Sequence, residues 1–223
     1  MTLDGELTID AGERLPANRI EKAAMAERGP RRPSPAEIEA AIRTLIAATG
    51  DDPARDGLRE TPARIARAYR EWFSGYRVDP GALLRTVFEE TAGYRDTVLL
   101  RDIPLVSTCE HHLAPIIGRA HVAYRPDGRV VGISKLSRLV EAFARRLQIQ
   151  ERLTEQVAHC LNDALAPHGV AVIIEASHAC MTTRGVNQHG VSLVTRCWLG
   201  DFERDRHLRA ELLASLDVKR TQW

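Results

Sequence analysis

Between Ser134 and Leu165 the apolar residues fall three and four apart in two consecutive stretches, whereas the segments on either side alternate or run in β-branched residues. Leu136, Leu139, Val140, Phe143, Ala144 and Leu147 mark one amphipathic helix, and Leu153, Val157, Cys160, Leu161, Ala164 and Leu165 mark a second. Ahead of them, strand character appears at Thr97 to Leu100 and at Gly118 to Tyr124. Pro126-Asp127-Gly128 then supplies turn chemistry before Val130 and Val131 resume, which reads as a β-hairpin. Behind them, Val170 to Ser177 reads as a strand, Val191 to Leu199 as its partner, and a last helix falls within Glu203 to Leu216. The order is ββααββ, an α+β arrangement.

The N-terminal third has another character. Residues 1 to 33 are polar, charged and weakly periodic, and are expected to form a flexible arm. Ser34-Pro35-Ala36-Glu37 is a capping box with proline at the first helical position, followed by the stripe Ile38, Ala41, Ile42, Leu45 and Ile46. A second helix is expected from Thr61-Pro62, burying Ile65, Ala66, Tyr69, Trp72 and Phe73 and turning Arg64 and Arg67 away. These features divide the chain into an arm (1–33), a helical region (34–95) and a domain (96–223).

Chemistry concentrates in two short runs. Ser107-Thr108-Cys109-Glu110-His111-His112 is answered some seventy residues later by His178-Ala179-Cys180. A catalytic zinc takes three protein ligands and leaves a fourth position to water, and Cys109, His112 and Cys180 meet that count. Such a cation lowers the pKa of its water toward ~7. His111 and His178 are then left to move protons, which favours metal-assisted hydrolysis with histidine acid–base catalysis. Each run alone has a plainer reading, as an accident of spacing or as strand-end packing. If the strand ending at Ser177 continues extended, His178 and Cys180 share one face, whereas Cys109 and His112 need a turn to converge.

Cys160 and Cys197 lie in apolar patterns and read as small buried hydrophobes. Two disulfides would be the alternative, but Met1-Thr2-Leu3-Asp4 lacks an apolar signal region and no stretch approaches the ~20 apolar residues of a membrane span, so a cytoplasmic chain with reduced thiols is expected. Thirty-one basic side chains against thirty acidic ones give no global case for nucleic acid or an anionic membrane. An anionic substrate must be met locally. In Gln150-Glu151 an amide adjoins a carboxylate, a plausible reader of guanine and equally an ordinary helix start. Ser134 and Lys135 could cap a helix or meet phosphate at its N-terminal amides. His189 reads as surface.

The runs Ser107 to His112, Val131 to Leu136, Arg145 to Gln156 and His178 to Val186, in that order, closely resemble GTP cyclohydrolase I. The resemblance extends from about Ile38 to Leu216 and includes Gly57 to Arg64. It implies a zinc enzyme that opens the imidazole ring of GTP at C8, releases formate and recloses the product as 7,8-dihydroneopterin 3'-triphosphate. It assigns Zn2+ to Cys109, His112 and Cys180, proton transfer to His111 and His178, guanine to Gln150 and Glu151, and ribose and triphosphate to Ser134, Lys135, Arg138 and Arg184, with Arg64 an addition. It also implies the tunnelling fold, an antiparallel sheet with two helices on one face, and a homodecamer with sites between subunits. One departure is the last strand, where Arg196 and Trp198 stand in place of small residues. Two rival functions are a structural-zinc protein that binds purine nucleotide without turnover, and an enzyme of this fold acting on another pterin or deazapurine precursor.

Overall fold

A computed structural model describes residues 31–88 and 93–217. Most of the expected arm, residues 1–30, lies outside the described residues.

The first helix, α1 (Pro35–Ala48), starts as its letters require: the Ser34 hydroxyl accepts from the Glu37 amide, and the Glu37 carboxylate accepts from the Ser34 amide at 2.8 Å. Helix α2 (Thr61–Trp72) buries Ala66, but Trp72 is 52% exposed and Tyr69 is exposed as well, so the expected buried aromatic face is corrected. Those rings pack on one another, Tyr69 lying 5.7 Å from Trp72 and 5.2 Å from Phe73. A single 3-10 turn (Ser74–Arg77) and a short helix α3 (Pro80–Leu83) lead to strand β1 (Val87–Phe88).

The sheet that follows contains β2 (Val98–Cys109), β3 (Pro115–Arg125), β5 (Leu147–Gln148), β6 (Gly169–His178) and β7 (Leu193–Gly200) in the order β5-β2-β3-β6-β7. All neighbours are antiparallel except the two-residue β5, which runs parallel to the end of β2. Helices α4 (Ile133–Ala144) and α5 (Gln150–Leu165) cover one face. Alternation along the strands decides what each face buries. Val122, Tyr124, Val172 and Ile174 meet Leu139, Phe143, Val157 and Leu161 in the main core, whereas Ala123 and Ala171 face the other way. There they meet Phe202 and Leu212 from two C-terminal helices, α7 (Asp201–Arg204) and α8 (Arg206–Asp217). Trp198 packs on this second core, 6.4 Å from the Phe202 ring. The ββααββ order of the tunnelling fold is therefore present, with a second helical layer behind part of the sheet.

The hairpin differs in position from the expected one. β2 does not stop at Leu100: a bulge at Asp102, whose φ is +62°, restarts the pairing at Ile103, and the strand runs on to Cys109. Its hairpin partner is β3, so the connecting turn is the segment Glu110–Ala114 itself. The turn after Arg125 instead carries the chain to β4 (Val130–Val131), which pairs with β1.

Candidate metal centre and its surroundings

The β2–β3 turn is tight. The Cys109 amide donates to the Ala114 carbonyl at 2.8 Å, the Leu113 amide to the Cys109 carbonyl at 2.9 Å, and Leu113 takes a left-handed φ of +53°. The Glu110 amide donates to the Gln148 carbonyl at 3.0 Å, fastening the turn to β5. The Glu110 carboxylate accepts from the Arg152 guanidinium, which also donates to the Gln148 side-chain oxygen at 3.3 Å. Gln148 is in turn held by the Phe143 carbonyl and Gln156. The turn is thus pinned to the junction of the two core helices.

Cys180 arrives from the other side. β6 ends at His178, and the next residues form a single helical turn, α6 (Ala179–Thr182), rather than continuing extended. That corrects the expectation of shared strand parity: one helical turn, not alternation, brings Cys180 back to Cys109. The two sulfurs lie 3.9 Å apart, and His112 Nδ1 is 4.0 Å from the Cys109 sulfur. The ligand atoms of Cys109, His112 and Cys180 all fall within 4.8 Å of one another. Tetrahedral zinc with ordinary bond lengths sets its ligands about 3.6–3.8 Å apart, so this donor set fits such an ion with little adjustment. Burial and the neighbouring Cys109 raise the Cys180 thiol above its usual range, partly offset by the charge of Arg184. A bound dication would reverse that upward shift of the Cys180 thiol. All four cysteines are free. Cys160 and Cys197 are half-buried against the main core, and burial together with Glu155 and Glu203 pushes Cys197 up to about 11.

The two remaining histidines differ. His111 is 65% exposed, with its Nε2 3.9 Å from the Glu110 carboxylate. His178 is half-buried; desolvation lowers its pKa and the nearby charge of Glu151 works against that. Its Nε2 lies 2.9 Å from the side-chain oxygen of Gln150. Gln150, the first residue of α5, is fully buried and its carboxamide is engaged within the protein, whereas Glu151 beside it is exposed.

The expected phosphate-binding residues are dispersed. Ser134 is exposed in the first turn of α4, and the Lys135 ammonium donates to the Thr86 carbonyl at 2.9 Å. Arg138 lines a cavity of about 280 Å³ with Gly75, Val78, Glu141 and Arg145. Arg184 is exposed just beyond α6, and Arg64 is exposed on α2 without a side-chain bond among the described residues. His189 is exposed, as expected. Sequence reasoning missed the Glu110–Arg152–Gln148 clamp. Local spacing did not mark it, because Gln148 belongs to β5, Arg152 to α5 and Glu110 to a turn some forty residues earlier.

An antiparallel sheet backed by two helices, with a cysteine–histidine–cysteine cluster between a hairpin turn and a strand end, defines an α+β protein equipped to hold a metal ion. Residues 38–217 match the family model described as GTP cyclohydrolase I. Over 186 residues the chain is 52% identical to the GTP cyclohydrolase 1 of Maricaulis maris (strain MCS10), covering 83% of this chain and 91% of that one. It is 54% identical over 183 residues to the GTP cyclohydrolase 1 of Hyphomonas neptunium (strain ATCC 15444), covering 82% and 89%. Among solved structures, the archaeosine synthase QueF-Like in the apo form aligns with a TM-score of 0.40 at 20% identity, over 47% of this chain and 93% of that chain, a likeness too remote to inform the chemistry. The chain belongs to the GTP cyclohydrolase I family.

Proposed function

We propose that this protein opens the imidazole ring of GTP at C8, releases formate and recloses the product to 7,8-dihydroneopterin 3'-triphosphate, using a zinc ion held by Cys109, His112 and Cys180. The observation that carries the reading is the convergence of those three side chains, in a member of this family, with His178 two residues from one of them. When bound, zinc supplies Lewis acidity and a water of lowered pKa. The protein's own residues do the rest. His178 gives a proton to the purine N7, which makes C8 electrophilic, and exposed His111 exchanges protons with solvent. The Glu151 carboxylate accepts from the Watson–Crick edge of guanine, with Gln150 at its side. Ser134, Lys135, Arg138, Arg184 and Arg64 hold ribose and triphosphate.

The catalytic domain in this reading is 96–223, with 34–95 as a helical region beside it and 1–33 as an arm. The outer edge of β7 and most of that of β2 have no partner strand among the described residues, which favours assembly with further copies, in the family's case a homodecamer with sites between subunits. No described helix is long and apolar enough to cross a membrane, and free thiols suit the cytoplasm, where the reading places the protein. The ligand cluster contains neither His111 nor His178, which supports an open site over the structural-zinc alternative with its fourth protein ligand.

The test is formate release from GTP, together with a fluorescent pterin after oxidation, by metal-depleted and zinc-restored protein. Both products should vanish on depletion and return with zinc. Bound zinc with neither product overturns the reading in favour of a structural role.

A further inference from the structure

Gln150 is fully buried, yet its carboxamide carries more hydrogen bonding than any helix start requires. The side-chain nitrogen lies 3.0 Å from the Ile174 carbonyl on β6, 3.0 Å from the Leu193 carbonyl on β7, and 3.1 Å from the Thr195 hydroxyl. Carbonyl oxygens only accept, so the NH2 end must face them; a flipped amide would set its oxygen against two others. The hydroxyls agree. Thr154 donates to the Gln150 backbone carbonyl at 2.7 Å, which leaves Thr195 to donate to Thr154 at 2.6 Å and to accept from Gln150. The side-chain oxygen of Gln150 therefore points one way only, at His178 Nε2, 2.9 Å away.

An amide oxygen so placed needs a donor. His178 Nε2 must carry a hydrogen, and its Nδ1 makes no hydrogen bond among the described residues. We infer that Gln150 is a positioning residue: anchored to both strands beside it, it holds the His178 ring through Nε2–H and leaves Nδ1, bare in the resting ring, as the nitrogen that takes up a proton and, from the imidazolium, gives it to the bound purine. This rests on the function proposed above, and it differs from the guanine-holding role expected of Gln150, whose side-chain donors and acceptor are already committed within the protein. Glu151, exposed next to it, is left as the side chain free to meet the base.

The two roles separate kinetically. In Gln150→Met, which has similar length and no hydrogen bond, kcat should fall roughly 10- to 100-fold, the usual cost of losing a partner that orients a histidine. KM for GTP and bound zinc should stay near wild type. Independently, 15N-histidine solid-state NMR of the zinc-loaded protein, with His178 assigned by its absence in His178→Ala, should show a protonated Nε2 and a bare Nδ1. A raised KM with unchanged kcat in Gln150→Met, or a protonated Nδ1 with bare Nε2 in the neutral ring, overturns the inference. If Gln150→Met does not fold, the tautomer decides alone. Failure of the wild type to release formate counts against the proposed activity and leaves the tautomer measurement standing.

Discussion

Cys109, His112 and Cys180 stand within 4.8 Å of one another as the chain folds, held by a hairpin turn, a two-residue parallel strand and one helical turn. Ser134, Lys135 and Arg138 on α4, Arg184 beyond α6 and Arg64 on α2, by contrast, are exposed or half-exposed, and no bond joins any two of them among the described residues. The metal side of the proposed site is built by backbone hydrogen bonds and a buried sulfur, Cys109 being 5% exposed, so its geometry precedes its ligand. The phosphate side is four cations and a hydroxyl, whose like charges only a polyanion, or residues from another copy, could draw together. A preformed half should respond to mutation by losing its ion outright, and a dispersed half should lose affinity in small steps.

The sharpest break comes from the preformed half. Cys180→Ser should lose most of the bound zinc and lower turnover by at least about 10³-fold, because Lewis acid and water leave together. His178→Ala should keep most of the metal while turnover falls roughly 10²–10⁴-fold, the range for a removed general acid. Metal analysis beside the pterin assay checks the pair. Equal zinc loss in both variants would place His178 among the ligands and erase the division of labour.

Between the halves stands Glu151, exposed in the first turn of α5 and close enough for its charge to act on His178. Glu151→Ala should raise KM for GTP roughly 10- to 100-fold, as expected for losing one hydrogen bond to a charged group, without emptying the metal site. Unchanged nucleotide affinity would return Glu151 to the plain role of an acid at a helix start.

Much of this was readable from the letters, and the exceptions have physical causes. Three-and-four spacing marked α4 and α5 because both bury one stripe against a sheet, and the capping box placed α1 because its bonds are local. The length of β2 was hidden by Arg101-Asp102-Ile103-Pro104, where a bulge resets the alternation; Pro104 is tolerated because that stretch of β2 is a sheet edge. Tyr69 and Trp72 have the period of a buried face, yet both remain exposed among the described residues. In the site, the three ligands were legible as residue types but not the route by which they meet, since a helical turn at Ala179–Thr182 carries no signal that outweighs the strand before it. The commitments of Gln150 were invisible, because its partners are backbone carbonyls on two distant strands.

The smallest effect tests the dispersed half alone. Exposed cations act through solvent, where the screening length shrinks from ~10 Å at 0.1 M salt to ~3 Å at 1 M, whereas coordinate bonds between thiolates and an ion are indifferent to that change. Between about 0.05 and 0.5 M KCl, KM for GTP should rise several-fold while zinc stoichiometry stays constant. Arg138 borders an open cavity and makes no bond of its own among the described residues, so its charge is available to a phosphate and costs nothing structural to remove. Arg138→Gln should therefore raise KM modestly at low salt and flatten the salt dependence, with thermal stability unchanged. A steep salt response that survives the substitution would move the phosphate contact away from Arg138 and onto the other dispersed cations. Zinc lost along with it would mean that the two halves are not separately built at all.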